Sequence, residues 1–211
     1  MVQLDLKQHG TTDFIAWQRA KRSVYSVRTI RLRYHTHMVS ESPIHPVHLT
    51  DEQLLKQCRI SRGRRSGPGG QHRNKVETAV RLVHRSTGIH VGATERRSQK
   101  ENLNAAVFRL RVMLALKIRG YRNRNLKSFP SGLWRSRVQT QRIACNNQHR
   151  DFPVLLAEAL DTIAACGFDH HRAAAVLALS PSQFIKFLKK EPLALEWVNK
   201  HRCDAGSQPL R

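Results

Sequence analysis

Apolar residues recur along this chain with two different periods, and each period predicts a different element. Val80 and Leu82 alternate with Arg81 and Val83, while Ile89, Val91 and Ala93 alternate with His90 and Gly92. A two-residue period is that of half-buried strands, and the "RSTG" between the two runs supplies the turn of a hairpin. From about Arg97, the positions Leu103, Ala106, Val107, Leu110 and Leu114 follow steps of three and four, which predicts an amphipathic helix laid over that sheet. Its other side is expected to carry Lys100, Arg109, Arg111 and Lys117 outward. Upstream, "TDEQLL" offers a capping box of Thr50 and Gln53, hence a short helix to about Gln57, and "QCRIS" reads as the next strand. Downstream, "FPVLLAEALDTIAACGF", "HHRAAAVLAL" and "SPSQFIKFLKKEPLALEWV" predict three helices, the last with Ser180 as N-cap and Pro181 in its first turn. The expected fold is α+β: a mixed sheet covered by a long helix, then an all-α bundle of helix-turn-helix type.

Composition adds a partner to this picture. With 211 residues and 40% apolar content the chain can build two folded units. A formal net charge of +22 makes it repel itself, and a polyanion relieves that repulsion. That polyanion is nucleic acid or an anionic membrane surface, and a membrane-spanning protein is not expected, since no uncharged apolar run approaches the roughly 20 residues that span a bilayer. Cys58, Cys145, Cys166 and Cys203 form no C-x-x-C pair, so neither a zinc ribbon nor a disulfide framework is indicated and reduced, buried thiols are expected. Nothing implies a metal, nucleotide or organic cofactor.

Charge also marks the organisation. Residues 102–150 hold eleven Lys or Arg and no Asp or Glu, whereas 151–200 hold six acidic and five basic residues. The expected division is therefore an extension over 1–47, an α+β unit over 48–118, a basic linker over 119–150 that is either extended and RNA-binding or a loop packed on the domain, a helical bundle over 151–200 and a tail over 201–211. The Arg-rich leader before Met38 is read as upstream of the native start rather than as a targeting peptide. The near-neutral charge of the bundle argues for packing or docking rather than DNA binding. His170 and His171 are adjacent, a poor spacing for shared metal ligation, and read as a helix start.

One stretch remains that no periodic element absorbs: "SGPGGQHRNK", residues 66–75. It lacks the Lys-Ser or Lys-Thr of a phosphate-binding P-loop and the spacing of a dinucleotide fingerprint. Gly69 and Gly70 have no β-carbon, so the main chain there can approach a substrate closely. Gln71 follows, with a backbone N–H and a neutral amide that cannot serve as general acid or base at pH 7. Such groups can orient water and donate to a developing oxyanion, which is the help that ester hydrolysis needs.

The segment "SGPGGQHRNKVETAVRLVHRSTGIHVGATERRSQKEN" resembles the catalytic domain of class I peptide chain release factors. The resemblance rests on the Gly-Gly-Gln tripeptide, the "NK" after it, the "AVRL" strand, the "TGI" turn and the "RSQ-x-x-N" opening of the long helix. It implies a small α+β domain that enters the peptidyl transferase centre of the large ribosomal subunit and hydrolyses the ester of peptidyl-tRNA. It also implies that Gly69 and Gly70 shape the tip and that Gln71 coordinates water and the oxyanion. Gln71 is further implied as the candidate for N5-methylation by a glutamine methyltransferase. Arg62, Arg64, Arg65, Arg73 and Lys75 flank the tip, where they would meet rRNA phosphates, and Arg96, Arg97 and Gln99 would pack the loop or meet RNA. A general-base role for His72 is not implied.

Departures from that family shape the functional expectation. Stop-codon readers carry a further domain with a P-x-T or S-P-F tripeptide before the catalytic region, and no such region fits this sequence. "SPSQF" at 180–184 lies after it, in a helical context. The tail "HRCDAGSQPLR" is only mildly basic, unlike the tail of one ribosome-rescue subclass. The expectation is a cytoplasmic, codon-independent peptidyl-tRNA hydrolase partnered by the ribosomal large subunit. The alternative is a non-catalytic RNA- or DNA-binding regulator that uses the basic linker and the helix-turn-helix-like end.

Overall fold

The computed structural model describes residues 38–39, 45–64, 77–120 and 129–211. A short parallel pair joins β1 (Met38–Val39) to β5 (Ile118–Arg119). Between them lies the α+β unit: α1 (Asp51–Lys56), β2 (Cys58–Gly63), β3 (Ala79–His84), β4 (His90–Ala93) and α2 (Gln99–Lys117). The capping box closes as its spacing requires: Gln53 N–H donates to Thr50 Oγ1 at 3.2 Å and Thr50 N–H donates to Gln53 Oε1 at 3.0 Å. Strands β2, β3 and β4 form an antiparallel sheet in that order.

Register explains which strand residues enter the core. Leu82 faces Ile60 and Val91, and Val80 faces Arg62 and Ala93, so these residues share one side of the sheet. Helix α2 covers that side with Ala106, Val107, Leu110 and Leu114. Strand β2 is the uncovered edge: Ile60 is 39% exposed although its partner Leu82 is fully buried. Arg59 and Arg62, both exposed, put charge on this edge, which discourages pairing with another chain.

Helix α2 differs from the expectation on its other face. Val112, Ala115 and Leu116 are buried in a second core, because α4 (Phe152–Ala165) packs along them. Two of the cations expected outward are turned onto the fold instead. Arg109 donates to Gly92 O at 2.6 Å and to Glu95, and Arg111 donates to Val47 O, Leu49 O and Asp51, each at 2.6 Å. Only Lys100 is fully exposed, and burial pushes the pKa of half-buried Lys117 down against the pull of Glu196. Part-buried backbone carbonyls lie within reach of both guanidiniums, one for Arg109 and two for Arg111, which is why long side chains on a nominally polar face fold back.

Of the two readings of 119–150, an extended linker and a packed basic loop, the described part follows the second. Residues 129–150 form α3 (Gly132–Arg137) and a hairpin of β6 (Val138–Gln139) and β7 (Arg142–Ile143). Trp134 supplies the reason: it is fully buried, its Nε1–H donates to Leu177 O at 2.8 Å, and its ring meets Phe187 edge-on at 5.6 Å. Ser131 caps α3, and its N–H and hydroxyl both donate to the buried carboxylate of Glu158 on α4.

Three further helices complete the second core: α5 (His170–Val176), α6 (Pro181–Leu188) and α7 (Pro192–Asp204). Ser180 caps α6 through the N–H of Gln183, with Pro181 in its first turn. The single last helix expected from "SPSQFIKFLKKEPLALEWV" is two, since Pro192 cannot donate back into a preceding turn and opens α7 instead. Of the four cysteines, three are buried as expected and Cys203 is exposed. His170 does begin a helix. Among the described residues no helix is long and apolar enough to cross a membrane.

Candidate functional site

The Gly-Gly-Gln stretch connects strands β2 and β3 of the sheet. Gly63 at the end of β2 is the register partner of Ala79 at the start of β3, so residues 64–78 leave and return at adjacent points of the same sheet end. Gly69, Gly70, Gln71, Arg65, Arg73, Lys75 and His72 lie outside the described residues. Their setting is defined by the base from which they depart.

That base is tied down mainly on its returning side. Asn102, fully buried in α2, donates from Nδ2 to Thr78 O at 2.7 Å and to Arg96 O at 3.0 Å, and its Oδ1 accepts from Arg96 N–H at 3.0 Å. Gln99, at the first position of the helix, donates from Nε2 to Glu77 O at 2.7 Å. Two consecutive carbonyls of the incoming chain are thus held by the opening of α2, which Ser98 caps through the N–H of Glu101. The role of Asn102 was not read from the sequence beyond its place in "RSQ-x-x-N". The signal was there: an amide one position before Leu103, on a face otherwise destined for the core, needs partners that only nearby backbone can supply.

Four of the expected RNA contacts surround this base. Arg62 is exposed opposite Val80, and Arg64 lies 3.9 Å from Glu77 across the mouth of the connection. That pair is solvated on both sides and contributes little to stability. Arg96 and Arg97 are exposed in the bend before α2, with the Arg96 backbone held by Asn102 against Thr78. The structure therefore brings Arg62, Arg64, Arg96 and Arg97 to one end of the sheet, all with free access to solvent. Nearby, burial opposes the charge on Glu95, but hydrogen bonds from Arg109 and from backbone N–H groups hold its carboxyl below the ordinary range.

At the opposite end of the sheet His84 closes the β3–β4 hairpin. Its ring bridges Thr87 Oγ1 at 2.8 Å and Gln57 Oε1 at 3.0 Å, and burial pushes its pKa down. It belongs to the scaffold, at the other end of β3 from the connection. Among the described residues no group of His, Cys, Asp and Glu is arranged to hold a metal ion.

A three-stranded antiparallel sheet, a covering helix that pins the sheet end, and four exposed arginines at that end define a small α+β domain suited to a polyanionic partner. Residues 51–153 match the RF-1 domain, and this match together with release factor relatives supports a member of the class I peptide chain release factor family. It is similar to peptide chain release factor 1 of Chlorobaculum tepidum, at 33% identity over 116 residues, covering 54% of this chain and 32% of that protein. It is 38% identical over 96 residues to the human mitochondrial peptide chain release factor 1, covering 46% of this chain and 22% of that one. Against a chloroplastic release factor of Arabidopsis thaliana the identity is 53% over 55 residues, covering 26% and 12%. The chain thus spans about a third or less of the length of these relatives.

Proposed function

We propose that this protein is a codon-independent peptide release factor, hydrolysing the ester of peptidyl-tRNA in the peptidyl transferase centre. The observation that carries this reading is the placement of "GPGGQ" between β2 and β3, at a sheet end pinned by Asn102 and ringed by arginines. In this reading the hydrolase unit is 48–118. Gly69 and Gly70 let the main chain reach the ester, and Gln71 presents its N–H to the developing oxyanion and orders the attacking water. Arg62, Arg64, Arg65, Arg73, Lys75, Arg96 and Arg97 hold the tip against rRNA phosphates. Gln71 is the position a glutamine methyltransferase would modify. Codon independence is supported by the letters "SPS" at 180–182, the partial match to a codon-reading tripeptide, being used to start helix α6. The activity belongs wherever ribosomes are. The cytoplasm is the expected compartment, and relatives named for chloroplasts and mitochondria make organelles equally suitable.

The test is release of labelled peptide from ribosomes carrying peptidyl-tRNA, with a stop codon, a sense codon or no codon in the decoding site. Comparable release in all three is expected. Gln71→Pro, which removes the N–H, should lower the rate by about 10² or more, while ribosome association persists. Equal release by wild type and Gln71→Pro would leave only the alternative, a binding protein without catalysis.

A further inference from the structure

The helical end is nearly neutral in sequence, with six acidic and five basic residues over 151–200. Folding changes that balance on one side. Segment 129–150 carries Arg135, Arg137, Arg142 and Arg150 and no acidic residue, and 180–190 carries Lys186, Lys189 and Lys190 and again none. The two stretches lie side by side. Ser180 N–H donates to Gln141 O at 3.2 Å at the start of α6. Past the other end of that helix, Lys190 Nζ donates to Cys145 O, and Asn147 Nδ2 donates to Lys190 O at 3.5 Å.

Helix α6 turns Phe184, Phe187 and Leu188 into the core and leaves Ser182, Lys186 and Lys189 exposed. Their spacing of four and then three puts them on one stripe. On the adjoining strand and turn, Arg142, Asn146 and Asn147 are exposed as well. The acidic residues that border these stretches in sequence are withdrawn: Asp151 is engaged by Arg137 at 2.5 Å, and Glu191 is 5% exposed. The result is a face of cations and amides built from two segments.

We propose that this face, centred on Arg142, Lys186 and Lys189 with Asn146 and Asn147 beside them, is a second RNA-binding surface that grips the phosphate backbone. It acts independently of the glycine-rich connection. Cations and amides at these positions suit phosphate oxygens, which fix a protein's position without reading sequence. The geometry disfavours duplex DNA. A helix-turn-helix protein presents the N-terminal residues of its recognition helix to the major groove. Here that end of α6 is abutted by the β6–β7 turn at Thr140 and Gln141, so the helix offers its flank.

The experiment uses the full chain and a fluorescent single-stranded RNA, with affinity followed by anisotropy across a salt series. Charge reversal in R142E/K186E/K189E is expected to weaken binding about tenfold or more and to flatten the slope of log affinity against log salt by about 2, near 0.7 per lost phosphate contact. The charge-keeping K186R/K189R should retain both. If the triple variant loses its circular-dichroism signature, the neutral single variants R142Q and K186Q carry the test, each flattening the slope by about 0.7. Wild-type affinity and slope in the reversed variant overturn the proposal. So does tighter binding of a DNA duplex than of RNA that the same substitutions abolish, which would restore the major-groove reading. Peptide release reads the connection and this affinity difference reads the face, so either can fail alone.

Discussion

The side-chain amide of Asn102 reaches from the opening of the long helix to the carbonyl of Thr78, 2.7 Å away, and joins the returning arm of the Gly-Gly-Gln connection to the helix that covers the sheet. The same amide holds both backbone groups of Arg96. Removing it therefore strands three backbone groups at once. Asn102→Leu should cost roughly 2–4 kcal/mol, each buried orphan contributing about 1–3 kcal/mol with partial relaxation. Urea unfolding checks this. Asn102→Asp keeps the acceptor but loses the donor, and it should lower peptide release more than ribosome binding. A stability change below about 0.5 kcal/mol, the range of ordinary surface substitutions, would show that the amide is not a tether.

Trp134 places the basic middle segment within the folded body. Trp134→Ala should cost about 3–5 kcal/mol, as for other fully buried aromatic truncations, and expose 129–150 to limited proteolysis. Trp134→Phe should cost less, since most of the apolar volume remains while the Nε1–H that serves Leu177 O is lost. If protease already cuts wild type between Arg135 and Arg142 as readily as an unfolded peptide, the packing described for α3 is wrong.

His84 gives the domain a dependence on pH. Burial lowers its folded pKa below the ordinary value near 6.5, so the unfolded chain binds the proton more readily than the folded one. Stability from this group is fully present above about pH 6.5 and is lost as pH falls from there through the folded pKa. His84→Gln should flatten the fall of the urea midpoint between neutral and mildly acidic pH. His170, also lowered by burial, acts in the same direction. An identical pH profile in wild type and variant would remove His84 from the account.

Glu191 works in the other direction. Its carboxyl is buried, Oε1 has no hydrogen-bond partner, and burial raises its pKa against the pull of the Leu193 backbone N–H. A raised carboxyl favours folding below its unfolded pKa, and that contribution is lost as pH rises through the folded value. Glu191→Gln removes the cost of the buried charge and should raise stability at neutral pH by on the order of 1 kcal/mol, read as a higher urea midpoint. A drop in stability would mean the carboxylate has a compensating role at the start of α7.

The parts legible in sequence were those whose signals are local. Thr50 and Gln53 announce a capping box within four residues, and Val80, Leu82, Val91 and Ala93 announce a hairpin by alternation alone. The packing of 129–150 was left open because Trp134 has only Leu133 beside it in a basic, polar stretch while its partners, Leu177 and Phe187, come more than forty residues later. The hairpin turn there was hidden, since Thr140 and Gln141 take the positive φ values that glycine or asparagine would have advertised. The Gly-Gly-Gln connection is singled out by its letters, and its residues lie outside the described ones. The tether beneath it was not legible, because a helix pattern records which faces are apolar and not which polar atom is aimed at a distant carbonyl.

Helix α2 belongs to both cores, with Leu110 and Leu114 buried against the sheet and Val112 and Leu116 against the bundle. Its 19 residues span about 28 Å at the standard rise. A beam clamped along both flanks cannot flex between its ends, so it works as a ruler: once the far end of the molecule is seated, the place of Thr78 at the sheet end is already set.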